Sequence, residues 1–207
     1  SSVSVSALDA ESIADLNPSS SADLIRQIPG IRSEASGGEG NANIAVRGIP
    51  VSTGGARYIQ LQEDGLPVLE FGDIVFGNAD NFVRADRNVG RVEAVRGGSA
   101  STFASNSPGG VINFISKTGL EEGGAVAGTI GIDHETYRLD FDYGGALDAT
   151  SYFHVGGFYR TGEGVRDTGF NGKEGGQIKA NLTTEFDGGY IRVHGKYLDD
   201  STPTILP

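Results

Sequence analysis

The chain has 207 residues, 37% of them hydrophobic and 33 of them Gly, with no Cys and a formal net charge of −11. It is too apolar for a disordered chain and too poor in Leu and Ala repeats for a helical bundle, and without Cys it has no disulfide scaffold, thiol nucleophile or Cys-based zinc site. An acidic balance with no Lys or Arg cluster speaks against a nucleic-acid partner, and no run reaches the ~20 consecutive apolar residues of a transmembrane helix, which a membrane β-barrel does not need.

Two short helices come first in "DAESIADLNPSSSADLIRQIPGI". One is expected over 10–16 with Asp9 as N-cap. The other is expected over 21–27 with Ala22, Leu24, Ile25 and Ile28 as its apolar face and Pro29-Gly30 as its stop. The segments "NIAVRGI", "YIQLQEDGLPV", "RVEAVRG" and "GVINFIS" read as strands, with Asp64-Gly65 as a tight hairpin turn. Residues up to about 118 therefore predict a small α+β domain, a mixed sheet with short helices and long loops near 52–57, 70–83 and 98–108.

Beyond Thr118 the pattern becomes strict alternation. In "TYRLDFDYGG" Tyr137, Leu139, Phe141 and Tyr143 alternate with Arg138, Asp140 and Asp142. "QIKANLTTEF" and "YIRVHGKY" follow the same rule, while "SYFHVGGFYR" and "AVAGTIGID" fit it less cleanly. This is the period of strands with one apolar and one wet face, and five are expected near 124–133, 136–144, 150–161, 175–186 and 189–198. An antiparallel sandwich would alternate as well. Tyr and Phe near the strand ends, and full charges of both signs on the other face, favour a lipid-facing wall.

Three spaced motifs, "VRGIP" at 46–50, "QEDGLPV" at 62–68 and "RVEAVRGGSASTFASNSPGGVINFISK" at 91–117, resemble in order and spacing the plug domain of TonB-dependent outer-membrane receptors. In that family Arg-Gly, Glu-x-x-Arg-Gly and Gly-Gly-Val-Ile-Asn recur, here Arg47-Gly48, Glu93 with Arg96-Gly97, and Gly109 to Asn113. The resemblance implies a plug over 1–118, with 119–207 as the first five or so antiparallel strands of a 22-stranded outer-membrane barrel whose lumen the plug fills. Five strands cannot close such a barrel. A chain truncated at both ends is therefore expected, with the TonB box upstream of it.

The same resemblance implies a receptor, not an enzyme, that imports a scarce bulky solute, with an iron-siderophore as the family's default. Its partners would be TonB with its inner-membrane complex, a small-molecule or metal-chelate ligand, and outer-membrane lipid. Ligand-facing candidates on the apical loops of the plug are Arg57, Phe71, Asp73, Phe76, Asn78, Thr102 and Phe103, although each could equally contact barrel loops. Arg47 and Arg96, with Glu93, are expected to lock the plug, as the family's matching arginines pair with barrel glutamates. No cofactor or metal is expected: His134, His154 and His194 lie on different strands or turns, the acidic clusters lack calcium-loop spacing, and no G-x-S-x-G marks a hydrolase. Other readings stay open, namely import of oligosaccharide, haem or cobalamin, a ligand-sensing transducer or surface binding protein, and a soluble β-rich binding module.

Overall fold

A computed structural model describes residues 4–35, 37–46, 58–69, 78–97, 109–133, 135–164 and 169–204. They form two units. The first comprises Ser1–Ala85, Val89–Ser116 and Thr204–Pro207; the second comprises Lys117–Pro203 together with the three-residue segment Asp86–Asn88.

In the first unit the caps place the helices. The Asp9 carboxylate accepts the Ser12 N–H at 2.9 Å, which starts α1 (Ala10–Leu16), and Asn17 ends it in the left-handed region at φ 41°. Ser20 and Asp23 form a reciprocal capping box that starts α2 (Ser21–Arg26). This helix stops one residue short of the expected end, with Gln27 as its C-cap. It buries Ala22, Leu24 and Ile25 against Ile13, Ile28, Ile44, Leu61, Val92 and Phe114, and each buried aliphatic side chain stabilises the unit by about 1.5–3 kcal/mol.

That core lies on a five-stranded mixed sheet. The first strand, β1 (Ser4–Asp9), is an edge. In chain order there follow β2 (Ile31–Glu34), β3 (Asn43–Val46), β4 (Ile59–Glu63), β5 (Leu66–Pro67), β6 (Val89–Arg96) and β7 (Gly110–Ser116). The sheet order is β1-β6-β7-β4-β5, while β2 and β3 pair separately. Among the described residues, β4 and β7 alone run parallel. The β4–β5 turn has Asp64 at φ 52° and Gly65 at φ 84°, the two left-handed residues of the tight turn that an Asp-Gly pair predicts. The Asp64 carboxylate also accepts the Ser116 N–H and hydroxyl, both at 2.7 Å.

Two details depart from the sequence reading. The short strand β2 has no signature of its own, because four residues are too few to establish a period. Residues Ala79–Phe82, expected within a long loop, form a 3-10 helix. There the buried Asp80 carboxylate accepts the Ala42 N–H at 2.9 Å, and Arg84 donates to the Asn81 carbonyl at 2.7 Å. Of the three expected loops, residues 52–57, 70–77 and 98–108 lie outside the described residues.

The second unit is a five-stranded antiparallel sheet of consecutive hairpins: β8 (Gly123–Gly131), β9 (Thr136–Ala146), β10 (Ser151–Gly162), β11 (Lys173–Phe186) and β12 (Gly189–Ser201). All five lie within a few residues of the expected spans. Register puts Val126, Phe141, Gly157, Ile178 and Tyr197 in one row across the strands, and on this face Val126 is 73% and Tyr197 66% exposed. The opposite face carries Asp140, Asp142, His154, Arg160, Gln177, Asn181 and Thr183, all buried. Apolar residues outward and charged residues inward is the reverse of a water-soluble sheet. The uneven pattern of "SYFHVGGFYR" also has a cause: Tyr152 and Phe158 point to the charged face, where Arg138 lies 4.1 Å and Arg160 5.5 Å from the Phe158 ring centroid.

Candidate functional site

A cluster of charge in the second unit is built around Asp142. The period-2 geometry of β9 turns its carboxylate to the charged face, where its side chain is 4% exposed. Arg87 donates from Nε to Oδ1 at 2.7 Å, Lys117 donates from Nζ to Oδ2 at 2.8 Å, and His154 Nε2 stands 3.3 Å from the same Oδ2. One carboxylate thus faces two fixed cations and an imidazole. Removing one cation would leave the carboxylate with the other and the imidazole, and removing both would leave a buried charge uncompensated by any fixed cation.

Asp86 organises the adjoining region. Its carboxylate accepts the Asn88 N–H and the Asn88 side-chain amide, each at 2.9 Å, and the Gln177 amide at 2.7 Å. Burial pushes the Asp86 carboxyl up, against the pull of these hydrogen bonds and of the Lys179 charge. Asn181 donates to the Lys117 carbonyl at 2.7 Å, and the Lys117 N–H donates to the Asn88 carbonyl at 2.8 Å. Gly156 makes the approach possible, because a Cβ there would stand 2.8 Å from both Asn88 Oδ1 and Asp142 Cβ. Further along the same face Arg160 forks onto Asp200 at 2.9 and 2.6 Å, with both side chains at most 3% exposed.

In the first unit Arg96 is buried at the end of β6, and its Nη2 donates to Ser4 Oγ at 2.8 Å and Ser6 Oγ at 2.6 Å. Both serines belong to β1. Glu93 is partly exposed and paired with Arg91 at 2.8 Å along its own strand. Asn78 is buried and donates its amide to Asn41 Oδ1 at 2.6 Å, just before the 3-10 helix. Arg47, Arg57, Phe71, Asp73, Phe76, Thr102 and Phe103 lie outside the described residues, as does His134. His154 is buried against Asp142, and His194 lies on β12.

Sequence reading did not find the Asp142 cluster. Its members are spread from Asp86 to Asn181, and only the inward position of Asp142, His154 and Asn181 on alternating strands was visible in the pattern. That Arg87 and Lys117 turn to the same carboxylate is a fact of tertiary structure. Neither sits in a periodic segment that would give its side chain a direction.

A helix-capped mixed sheet, followed by strands apolar on one face and charged on the other, defines a plug domain joined to barrel-type strands. The family model of the TonB-dependent Receptor Plug Domain matches residues 1–111, and the chain belongs to that family. Among curated relatives it is 26% identical to the Ferric enterobactin receptor of Pseudomonas aeruginosa over 97% of this chain and 32% of that protein. It is 30% identical to the Vitamin B12 transporter BtuB of Photobacterium profundum over 59% of this chain and 19% of that one. The chain thus spans about a third or less of the length of these relatives. Among solved structures, the pyoverdine outer membrane receptor FpvA of Pseudomonas aeruginosa superposes with a TM-score of 0.76, at 19% identity, over 95% of this chain and 27% of that one. That likeness shows the fold.

Proposed function

We propose that this chain forms the plug, 1–118, and the first barrel strands, 119–207, of an outer-membrane receptor of a Gram-negative bacterium that imports an iron-siderophore complex with energy from TonB. The observation that carries this reading is the likeness to the Ferric enterobactin receptor, which runs through plug and strands alike over 97% of the chain. The exposed apolar and buried charged faces of the second unit support the membrane setting. Its tight links, 147–150 and 187–188, lie at one end of the strands, and its longest, 163–172, at the other. Short turns mark the periplasmic end of such barrels, so the ends of β10 and β11 at Gly162 and Lys173 are assigned to the outer side.

In this reading ligand binds through Arg57, Phe71, Asp73, Phe76, Thr102 and Phe103 on the plug's outer loops, with Asn78 at the base of one of them. Arg47, Glu93 and Arg96 hold the plug closed. TonB, with its inner-membrane complex, draws on the N-terminal side of the plug and opens a path; no bond in the ligand is made or broken. The similarity to the Vitamin B12 transporter BtuB supports a second reading, import of a cobalamin-type solute.

Equilibrium binding of ferric siderophores, haem, cobalamin and oligosaccharides to the complete, detergent-purified receptor separates these readings. A ferric siderophore is expected to bind at submicromolar affinity, with Phe76→Ala weakening it about tenfold or more, a loss of ~1.4 kcal/mol. Cobalamin binding in its place would transfer the assignment to the second reading. Tight binding without TonB-dependent uptake in cells would favour a sensor over a transporter.

A further inference from the structure

The outward face of the second unit is not evenly covered. A groove of about 600 Å³ crosses β9–β12 there, with Phe141 and Tyr159 on one flank and Ile178 and Tyr197 on the other, all four exposed. Its floor is bare backbone. In register Gly157 stands between Phe141 and Ile178, and Gly176 between Tyr159 and Asp199. A Cβ at Gly157 would meet the Gln177 carbonyl oxygen at 2.0 Å, and one at Gly176 the Phe158 carbonyl oxygen at 2.1 Å. The strands approach too closely there for any residue but Gly, so the gap is built into the sheet.

One end of the groove is acidic. Glu174, Asp199 and Ser201 line it toward the strand ends at Gly162 and Lys173, whereas Phe141 and Ile178 line it toward mid-strand. Across the strands Glu174 faces Thr161 and Ser201, and Asp199 faces Gly176. Among the described residues no cation is paired with either carboxylate. Two uncompensated carboxylates thus stand at the head of an otherwise apolar groove.

We propose that the groove holds a lipid whose head group carries a primary ammonium, as in phosphatidylethanolamine. Its acyl chain lies over Gly157 and Gly176, and its ammonium sits on Glu174 and Asp199. The inference rests on the membrane setting of the reading above and names the lipid selected at this face. Such a lipid is apolar over most of its length and cationic at one end, which matches the polarity of the groove from end to end. The ammonium donates to each carboxylate in a charge-assisted hydrogen bond. A quaternary ammonium has no N–H to donate, and an anionic head group is repelled. A carboxylate on the lipid face is tolerated near a strand end and costly at mid-membrane, and Tyr159 and Tyr197 are residues of the kind that settle at the head-group layer.

The test is native mass spectrometry of the complete, detergent-purified receptor after incubation with equal amounts of phosphatidylethanolamine, phosphatidylcholine and phosphatidylglycerol of identical chains. Phosphatidylethanolamine should be retained roughly three- to tenfold over the other two. Glu174→Gln/Asp199→Asn, at two exposed positions, should abolish that preference. Equal retention of the three lipids, or a preference that survives the double variant, would overturn the proposal. So would phosphatidylglycerol retained in preference once Mg²⁺ is added, which would mean a cation-bridged phosphate. Tyr159→Ala/Tyr197→Ala should lower retention of all three lipids alike, and undiminished retention would place the acyl chain outside the groove. Lipid retention needs neither solute nor TonB, so a receptor that binds no ferric siderophore would sink the functional reading and leave the lipid site to be decided by these spectra.

Discussion

Asp9 shows how much one exposed carboxylate can govern. It caps α1 through the Ser12 N–H, and that hydrogen bond holds its carboxyl below the usual aspartate range. A depressed native pKa means that the contribution of the cap is complete above the unfolded value of about 3.9 and is lost as the pH falls through the native value. Amide protection in α1 should therefore decline between pH 5 and pH 2. Asp9→Asn, which keeps an accepting oxygen but does not titrate, should flatten that profile, and an unchanged profile would show that the cap is idle. Asp148 works in the same direction in the β9–β10 link, where it accepts the N–H groups of Thr150 and Ser151, each at 2.8 Å.

Gly156 gives a steric counterpart at the same scale. A Cβ there meets the Phe141 carbonyl oxygen at 2.7 Å as well as Asn88 and Asp142. Gly156→Val should lower the stability of the detergent-solubilised receptor by about 1–3 kcal/mol or more, the usual cost of overpacking. Gly128, on the outward face, has nothing within 4 Å of such a Cβ. Gly128→Val is the matched control, and thermal unfolding of the two variants should differ clearly.

At the scale of elements, β1 is held at its N-terminal end by the Arg96 guanidinium on Ser4 and Ser6. Each hydrogen bond to a charged group contributes roughly 1.5–3 kcal/mol. Ser4→Ala/Ser6→Ala removes both while leaving Arg96 in place, so exchange of the β1 amides should rise at least tenfold with the α2 amides unaffected. Equal exchange in the double variant would show that β1 is held by its ladder alone. Leu24→Ala, in the centre of the core, should instead weaken the whole first unit by about 2–5 kcal/mol, read as a shift in its unfolding midpoint.

These elements are largely legible in the sequence. Asp9 starts its helix by local chemistry, Asp64-Gly65 names its own turn, and Tyr137 to Tyr143 show the period of β9, whereas the Ser20–Asp23 capping box emerges only in the structure. The family's Arg-Gly and Gly-Gly-Val-Ile-Asn motifs carry the fold class further than the period alone can. The bonding of Arg96 is not legible, because a guanidinium on a long stem reaches partners that spacing does not specify. For the same reason Arg87 and Lys117 give no sign of Asp142.

On the proposed reading the whole molecule satisfies two solvents. Tyr137, Leu139, Tyr159, Ile178, Ile191, Val193 and Tyr197 are exposed on the second unit, an apolar face larger than water-soluble proteins tolerate, while its charged side is buried. The complete receptor should accordingly stay dispersed only with detergent or lipid. Monodisperse behaviour in plain buffer, read by size-exclusion chromatography with light scattering, would return the chain to the soluble-module reading.

The distances along the chain within the Asp142 cluster also bear on how this protein comes to be folded. Asp86 and Gln177 are 91 residues apart, and Arg87 and Asp142 are 55 apart. The first unit closes its helices and caps locally, but the Asp142 cluster cannot form until β9, β10 and β11 exist and have paired, because long loops must close before such contacts form. Its formation is therefore a late event in folding, and until it happens Arg87, Lys117 and Asp142 remain hydrated ions. The burial of this cluster would then report that β9, β10 and β11 have paired.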